Sequence, residues 1–275
     1  MIKHRWISAK WSKKDAKYLS KKGITINENG GYNLIRLDEQ DPIYQELKEK
    51  FLKQEREDFN DSHVASSFTQ EEINGCEYAA FSLIEKGYPQ PKPNSNGFLE
   101  ATYVDFYRYS RIPKKGQQKP FILKGENKWN KKDKAFTFQG IYDALFVRTD
   151  FFEEFLAPLG YKHREVLVDT KGNISNNTVQ WDLPVSNTRM KLNGTWYDWD
   201  HICPESGIKR YSHQLLDFLP SFEEKPIYDV FLSQEYFGEY GRSNRKFIAN
   251  RKMIRFFFET GFLTSYSQLH PILNE

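Results

Sequence analysis

Aromatic side chains make up a large share of the apolar residues in this sequence. The chain has 22 Phe, 16 Tyr and 6 Trp among 275 residues, although its hydrophobic fraction is only 39% and its mean hydropathy is −0.74. Each aromatic ring removes a large apolar area from water when it is buried, so rings can offset a low overall hydrophobicity. The sequence therefore predicts a folded chain whose core is built mainly from aromatic rings.

The overall charge argues against a protein whose affinity depends on phosphate groups. Forty basic and 37 acidic residues leave a formal net charge of +3. Proteins that bind nucleic acid by neutralising phosphates usually carry a stronger basic bias. We therefore expect nucleic acid to be an unlikely class of partner.

Cysteine content and hydropathy bear on the compartment. Cys76 and Cys203 are the only cysteines, which excludes a disulfide framework and predicts free thiols. The first residues alternate basic and aromatic side chains, without the apolar stretch of a signal peptide. No segment reaches the ~20 apolar residues that span a bilayer. We expect a cytoplasmic protein with no membrane partner.

The N-terminal part carries two helix signals. Asp41 before Pro42 is a typical helix start, and Ile43, Leu47 and Phe51 follow at helical spacing. The first signal thus predicts a helix that begins at Pro42.

The second signal is a capping box formed by Thr69 and Glu72, which predicts a helix from Thr69 to Gly87. Cys76 falls on the apolar side of this helix, where a buried, inert thiol is expected. Residues 88–97 are rich in Pro and Asn and indicate a linker. We predict a mainly helical N-terminal region, 1–97, and an α+β domain, 98–275, with one continuous domain as the alternative.

A pattern of strand, helix cap, helix and glycine occurs twice in the C-terminal half. Residues 144–147 predict a buried strand, Thr149 or Asp150 a cap, and Gly160 a helix end. Residues 247–249, Asn250 and Gly261 repeat the plan at the same spacing. The match indicates a pseudo-repeat, with coincidence as the alternative. Strand signals between the copies, including a hairpin at Asn193-Gly194, predict an α+β fold with an antiparallel-rich sheet.

One acidic pattern has two interpretations. Asp169 and Lys171 follow an apolar strand, and with Asp150 upstream they resemble a metal-dependent nuclease site. The same segment, 169–173, has the composition of a hairpin turn, which is the simpler interpretation.

Residues of types that bind zinc lie close together near the middle of the C-terminal half. They are Asp198, Asp200, His201, Cys203 and His213. Their spacing does not match the paired ligands of structural zinc sites, so a polar loop is the favoured interpretation. We predict no metal and no cofactor.

The segment Cys203-Pro-Glu-Ser-Gly207 has the form of a Cys-x-x-Cys-Gly motif in which Ser206 replaces the second cysteine. Together with Phe237-Gly-Glu-Tyr-Gly241 and Ile248-Ala-Asn250, it resembles the double-Cys-x-x-Cys-Gly family of bacterial proteins. The resemblance covers residues 141–272. It implies an immunity protein of a toxin delivery system, whose partner is the cognate toxin. A full double motif would offer four thiolates to a metal, so the remnant Cys203 and Ser206 imply that the metal has been lost.

These observations favour a binding protein without catalytic activity. An inhibitor needs a rigid fold and a surface rich in aromatic and charged groups. The candidate partner-binding residues are Trp196, Tyr197, Asp198, Trp199, Asp200, Tyr236, Tyr240 and Arg242. The alternating Trp residues could equally face the core. The alternative functions are a metal-dependent nucleic-acid-processing hydrolase using Asp150, Asp169 and Lys171, and a non-catalytic scaffold.

Overall fold

The structure is a computed structural model that describes most of the chain. The described residues are 1–26, 32–52, 60–91, 97–102, 117, 119–192, 201–202, 207–211, 217–238 and 243–274. They belong to two compact units, one of Met1–Glu72 with Gln214–Phe218, and one of Ile73–His213 with Leu219–Glu275. We call them unit 1 and unit 2.

Unit 1 combines a three-stranded antiparallel sheet with two helices. Its elements are β1 (Ile2–Lys10), α1 (Lys13–Lys21), β2 (Tyr32–Asp38), α2 (Pro42–Leu52) and β3 (Asn60–Ser67). The strand order is β2-β1-β3, and both pairings are antiparallel.

Local hydrogen bonds explain where the helices of unit 1 begin. Ser12 and Asp15 form a reciprocal capping box at the start of α1. Asp41 accepts a hydrogen bond from the backbone N–H of Ile43 at 2.8 Å, next to Pro42, the first residue of α2. The predicted start of α2 is therefore confirmed. The two helices and the sheet share one core, built from Ile7, Ala9, Trp11, Leu19, Ile35, Leu37, Tyr44 and Leu47.

Unit 2 contains three sheets. Its strands are β4 (Tyr78–Phe81), β5 (Glu85–Lys86), β6 (Ala135–Phe138), β7 (Ile141–Arg148), β8 (Lys162–Arg164), β9 (Thr178–Asp182), β10 (His201–Ile202), β11 (Lys209–Tyr211), β12 (Val230–Leu232), β13 (Tyr236–Phe237), β14 (Phe247–Asn250) and β15 (Leu269–Pro271). The sheet orders are β5-β6-β7-β9-β8, β12-β14-β4-β15 and β10-β11-β13.

The helical elements outside unit 1 are short. They are α3 (Gln70–Gly75), which spans the boundary between the units, α4 (Gly97–Thr102), α5 (Thr149–Phe151), a π turn (Phe152–Leu156), two 3-10 turns (Ala157–Leu159 and Tyr266–Gln268) and α6 (Arg251–Glu259). Most strand pairings are antiparallel, and the exceptions among the named strands of the described residues are β5–β6 and β11–β13. The predicted α+β fold with antiparallel-rich sheets is therefore confirmed.

The core of unit 2 is aromatic, as the composition predicts. Phe146 on β7 lies 5.3 Å from Phe121 and 4.6 Å from Phe138, measured between ring centroids, and both contacts are edge-to-face. Phe136 stacks on the same ring at 5.3 Å. Such pairs contribute more than their buried area alone, by about 0.5–1.5 kcal/mol each.

Strand β8 forms one edge of the five-stranded sheet. Its three residues, Lys162, His163 and Arg164, are all exposed. Arg164 forms an ion pair at 2.8 Å with Asp182 on the neighbouring β9. The exposed side chains of this edge are therefore of basic types, with Asp182 beside Arg164 and Glu153 3.6 Å from His163.

The two copies of the predicted strand-cap-helix-glycine pattern agree only in part. Both strands form, as β7 and β14, and Gly160 and Gly261 both take positive φ angles, 85° and 70°, after their helices. Asn250 caps α6 by accepting from the Met253 N–H at 2.9 Å. In the first copy Arg148 occupies the cap position without a side-chain hydrogen bond, so the cap prediction for Thr149 or Asp150 is wrong.

The helix of the first copy is also irregular. After three α-helical residues the chain forms a π turn and then a 3-10 turn that contains Pro158. Proline has no N–H to donate to the preceding turn, which interrupts the regular i to i−4 hydrogen-bond series. The two copies therefore share the strand and the glycine that ends the helical segment, but the helix between them differs.

The predicted helix from Thr69 to Gly87 is wrong beyond its first turns. Thr69 accepts from the Glu72 N–H at 3.2 Å, as predicted, but α3 ends at Gly75. The next residues form β4, which lies between β14 and β15 in its sheet. A central strand gains hydrogen bonds on both edges, which outweighs the helical spacing of its alanines. Cys76 is buried, as predicted, and forms no disulfide with a described residue.

The unit boundary differs from the predicted domain boundary. The chain first passes from unit 1 to unit 2 between Glu72 and Ile73, whereas the linker signal placed the boundary at residue 97. Residues 1–97 contain the strands β1 to β5 as well as helices. Within the described parts of the chain, every helix is too short or too polar to cross a bilayer.

Candidate functional site

Most of the predicted partner-binding residues cannot be placed. Trp196, Tyr197, Asp198, Trp199, Asp200, Tyr240, Arg242, Cys203 and Ser206 all lie outside the described residues. Tyr236 is described, on β13, and only 8% of its side chain is exposed. It lies in the wall of the cleft described below.

The structure supports the turn interpretation of Asp169. Its carboxylate accepts hydrogen bonds from the Lys171 N–H at 2.9 Å and from the Asn173 side chain at 2.7 Å. The Asn173 hydrogen bond lowers the pKa of Asp169, and Gly172 takes the positive φ of 92° that the turn requires.

Asp150, the second carboxylate of the hydrolase hypothesis, also bonds to neighbouring residues. Asp150 accepts from the side chain of Arg148 and from the Phe151 N–H. Among the described residues, no three His, Cys, Asp or Glu side chains come together as a metal site would require. The described contacts therefore give Asp150 and Asp169 structural roles.

A cleft of about 740 Å³ in unit 2 is the strongest candidate site. Residues from β7, β8 and β9 line it together with residues from β11 and β13. Its charged and polar lining residues are Gln117, Asp143, Arg164, Gln180, Asp182, Arg189, Lys209, Gln234, Glu235 and Arg245, and its aromatic ones are Trp181, Tyr211 and Tyr236.

The register of the five-stranded sheet explains why Asp143 reaches the cleft. The pairing of β7 with β9 begins at Leu145, opposite Trp181, so the first residues of β7 extend past that ladder. The Tyr142 N–H donates to the side chain of Asn244 at 3.1 Å, which ties this open end to the segment before β14. Asp143 therefore lies where the sheet opens and Arg245 approaches.

Asp143 and Arg245 form the charged centre of the cleft. Burial raises the pKa of Asp143 from 3.8 to about 6, and the Arg245 charge and backbone N–H groups oppose this shift only in part. The Arg245 guanidinium lies 4.8 Å from the ring centroid of Tyr236. A carboxyl with such a pKa exchanges its proton near neutral pH.

Glu235 is a second buried carboxyl in the cleft wall. One of its oxygens accepts from the Met190 N–H at 3.1 Å, and the other, Oε2, has no hydrogen-bond partner among the described residues. Its side chain is 6% exposed, and burial raises its pKa.

Two neighbouring residues of β9 also carry polar atoms without partners. The Gln180 side-chain N–H donates to Gln117 at 2.6 Å, but Gln180 Oε1 accepts no hydrogen bond from a described residue. The indole Nε1 of Trp181 has no acceptor within the described part of the chain, and the same holds for Nε of Arg245. Buried polar atoms that have no hydrogen-bond partner are rare in folded proteins.

Sequence reasoning missed this site. Asp143 interrupts the apolar run of β7, which is an available signal because a charged residue is unusual within a largely buried strand. Gln180, Glu235 and Arg245 lie in three distant segments and carry no local motif. Only the fold brings them together.

Comparisons with protein-family models, with curated proteins and with solved structures found no match. The resemblance to the double-Cys-x-x-Cys-Gly family thus stays a prediction from the motif residues alone.

Proposed function

We propose that this chain is an immunity protein that neutralises a cognate bacterial toxin by direct binding, and that the unit 2 cleft receives part of the toxin. The observation that carries the proposal is the set of buried polar atoms without partners at the cleft: Gln180 Oε1, Trp181 Nε1, Glu235 Oε2 and Arg245 Nε. Leaving such an atom unpaired costs about 1–3 kcal/mol. A bound partner that supplies the missing hydrogen bonds offsets that cost.

The surroundings of the cleft support a binding role. Trp181 is held by edge-to-face contacts with the rings of Tyr161 and Phe257, at centroid distances of 4.9 and 6.1 Å. The indole ring itself is held in this way and loses little conformational freedom when a partner binds, which favours affinity. The motif remnant at Cys203 supplies the link to toxin neutralisation.

Co-expression tests the proposal. We expect a large secreted protein with a toxic C-terminal domain to be encoded by the gene immediately upstream. Expression of that domain should stop growth, and expression of this chain should restore it. The Arg245→Ala variant should restore growth less well, whereas Arg255→Ala, at an exposed site on α6, should match the unchanged chain. The proposal fails if the unchanged chain gives no rescue.

A further inference from the structure

The partnerless atoms of the cleft define what its ligand must offer. Two of them, on Trp181 and Arg245, are N–H donors, and two, on Gln180 and Glu235, are oxygen acceptors. A ligand that only accepts hydrogen bonds, such as a phosphodiester, leaves both oxygens unpaired. An ammonium or guanidinium group, which only donates, leaves both N–H groups unpaired.

The charges in the cleft largely balance one another. Arg245 lies beside Asp143, and Arg164 forms its ion pair with Asp182. Arg189 lies near the remaining carboxyl, Glu235, and Lys209 also lines the cleft, so the described lining residues include four basic and three acidic side chains. Such a lining offers little net attraction to a ligand of either charge.

The aromatic faces that the described residues contribute to the cleft are already covered. Trp181 is 2% exposed and is surrounded by the rings of Phe152, Tyr161, Phe257 and Phe262. Tyr236 lies beneath the Arg245 guanidinium, and the Lys209 ammonium lies 5.3 Å from the Tyr211 ring centroid. Nucleobases stack on open aromatic faces, so this covered wall is a poor binding surface for nucleic acid.

From these observations we infer that the cleft binds an uncharged, extended peptide segment, which supplies N–H donors and C=O acceptors in alternation. This inference rests on the proposed function, because it specifies the part of the toxin that enters the cleft. The volume of about 740 Å³ lies within the usual range of ligand sites, about 300–1,000 Å³. The partnerless atoms are themselves shielded from solvent, so we expect the segment to pair with them only when the side chains that cover them move.

Capped pentapeptides test the inference with the full chain. The probes are the neutral peptide acetyl-Gly-Asn-Ser-Gln-Gly-amide, the same peptide with Lys or with Glu in place of Asn and Gln, and the neutral sugar triacetylchitotriose. The readout is the indole N–H resonance of Trp181 in ¹⁵N NMR spectra, assigned with Trp181→Phe. We expect the neutral peptide to shift this resonance and to bind at least about tenfold more tightly than either charged peptide.

A matched pair of variants locates the binding. Glu235→Gln keeps the shape of the side chain but can turn the Oε2 acceptor into a donor, and should weaken neutral-peptide binding about tenfold. Glu224→Gln, at an exposed position away from the cleft, should leave it unchanged. An unchanged Trp181 resonance before peptide is added shows that each variant is folded.

Three results would overturn the inference. They are tighter binding of the sugar or of a charged peptide, no shift of Trp181 with any probe, and toxin affinity that is the same in Glu235→Gln and the unchanged chain. Each of these is compatible with growth rescue, which would leave the proposed function standing. Loss of rescue together with a Trp181 shift by the neutral peptide would instead overturn the toxin role and support the peptide site.

Discussion

Asp143 places a carboxyl in a strand whose other inward residues are apolar, and this has a measurable effect on stability. Its pKa is higher in the folded chain, about 6, than the ordinary 3.8. The folded state therefore holds this proton more tightly than the unfolded state does. Protonation of Asp143 stabilises the fold, and the stabilisation is lost as the pH rises through about 6.

The Asp143→Asn variant should remove this dependence. In the unchanged chain, the Asp143 contribution to the free energy of unfolding decreases from pH 4 to about 6.5, because the charged carboxylate is poorly solvated in the cleft wall. Urea denaturation of both proteins at a series of pH values measures the effect. The stability of the variant relative to the unchanged chain should rise across that interval. A difference that is constant with pH would contradict the assignment.

Arg251 is the first residue of α6, where the positive helix dipole disfavours a cation. Its side chain instead donates to the backbone carbonyls of Cys76 at 2.9 Å and Gly75 at 2.8 Å. These hydrogen bonds hold the chain that leaves α3 against the start of α6.

The Arg251→Ala variant should lower the free energy of unfolding by about 1–2 kcal/mol, because both carbonyls lose a charged donor. Arg251→Lys should give an intermediate loss, since an ammonium cannot reproduce the planar fork. Thermal and urea denaturation measure both, with the exposed Arg255→Ala as the control on the same helix. Equal stability of all three variants would remove the proposed role of Arg251.

Residues whose partners are close in sequence were the ones that sequence reasoning placed well. Asp169 bonds within its own turn, and Asn250 bonds within the first turn of its helix. By contrast, Asp143 and Arg245 come from segments about a hundred residues apart, and no local pattern predicts that they meet. Local sequence patterns therefore do not predict the candidate site, and the isolated charge in β7 is the one signal they offer.

At the scale of single elements, helix α6 depends strongly on its cap. Asn250 accepts from the Met253 N–H and donates to Asp229, which links the helix start to the residue before β12. The helix places Met253, Ile254 and Phe257 in the core of unit 2.

The Asn250→Ala variant should lose about 0.5–2 kcal/mol of stability, because the first-turn N–H then lacks its acceptor. Asn250→Ser keeps a capping oxygen but not the bond to Asp229, and should lose less. Urea denaturation followed by circular dichroism measures both. If Ser and Ala are equally destabilising, the bond to Asp229 and not the cap carries the contribution.

The errors at this scale have a common cause. Residues 78–81 have helix-forming alanines, but they gain more by pairing with β14 and β15. The helix after β7 has suitable apolar spacing, but Pro158 and the π turn change its form. Strand pairing outweighed helix propensity in the first case, and a single proline changed the helix in the second.

At the scale of the whole molecule, the fold class followed from sequence signals that many residues share. Alternating strand signals and glycine stops are each repeated along the chain, so single errors did not change the α+β assignment. The predicted boundary at residue 97 rested on one proline-rich segment. The chain instead first passes from unit 1 to unit 2 between Glu72 and Ile73.

Two hydrophobic clusters of described residues are drawn from unit 2 alone, so we expect this unit to fold by itself. A fragment of residues 69–275 retains the capping box of α3, both clusters and the cleft. Its Trp181 indole resonance should match that of the full chain in ¹⁵N spectra. Phe146→Ala in the fragment should cost about 3–5 kcal/mol, because the ring lies at the centre of an aromatic cluster. A fragment with the narrow spectral dispersion of an unfolded chain would contradict the prediction.

The basic edge formed by β8 also affects how copies of this protein meet one another. A strand edge is a template on which a second, identical edge can pair and begin aggregation. When two copies approach along β8, Lys162, His163 and Arg164 oppose the same side chains of the other copy. Charge repulsion between the two basic edges opposes that pairing, so we expect aggregation to start less readily from this edge.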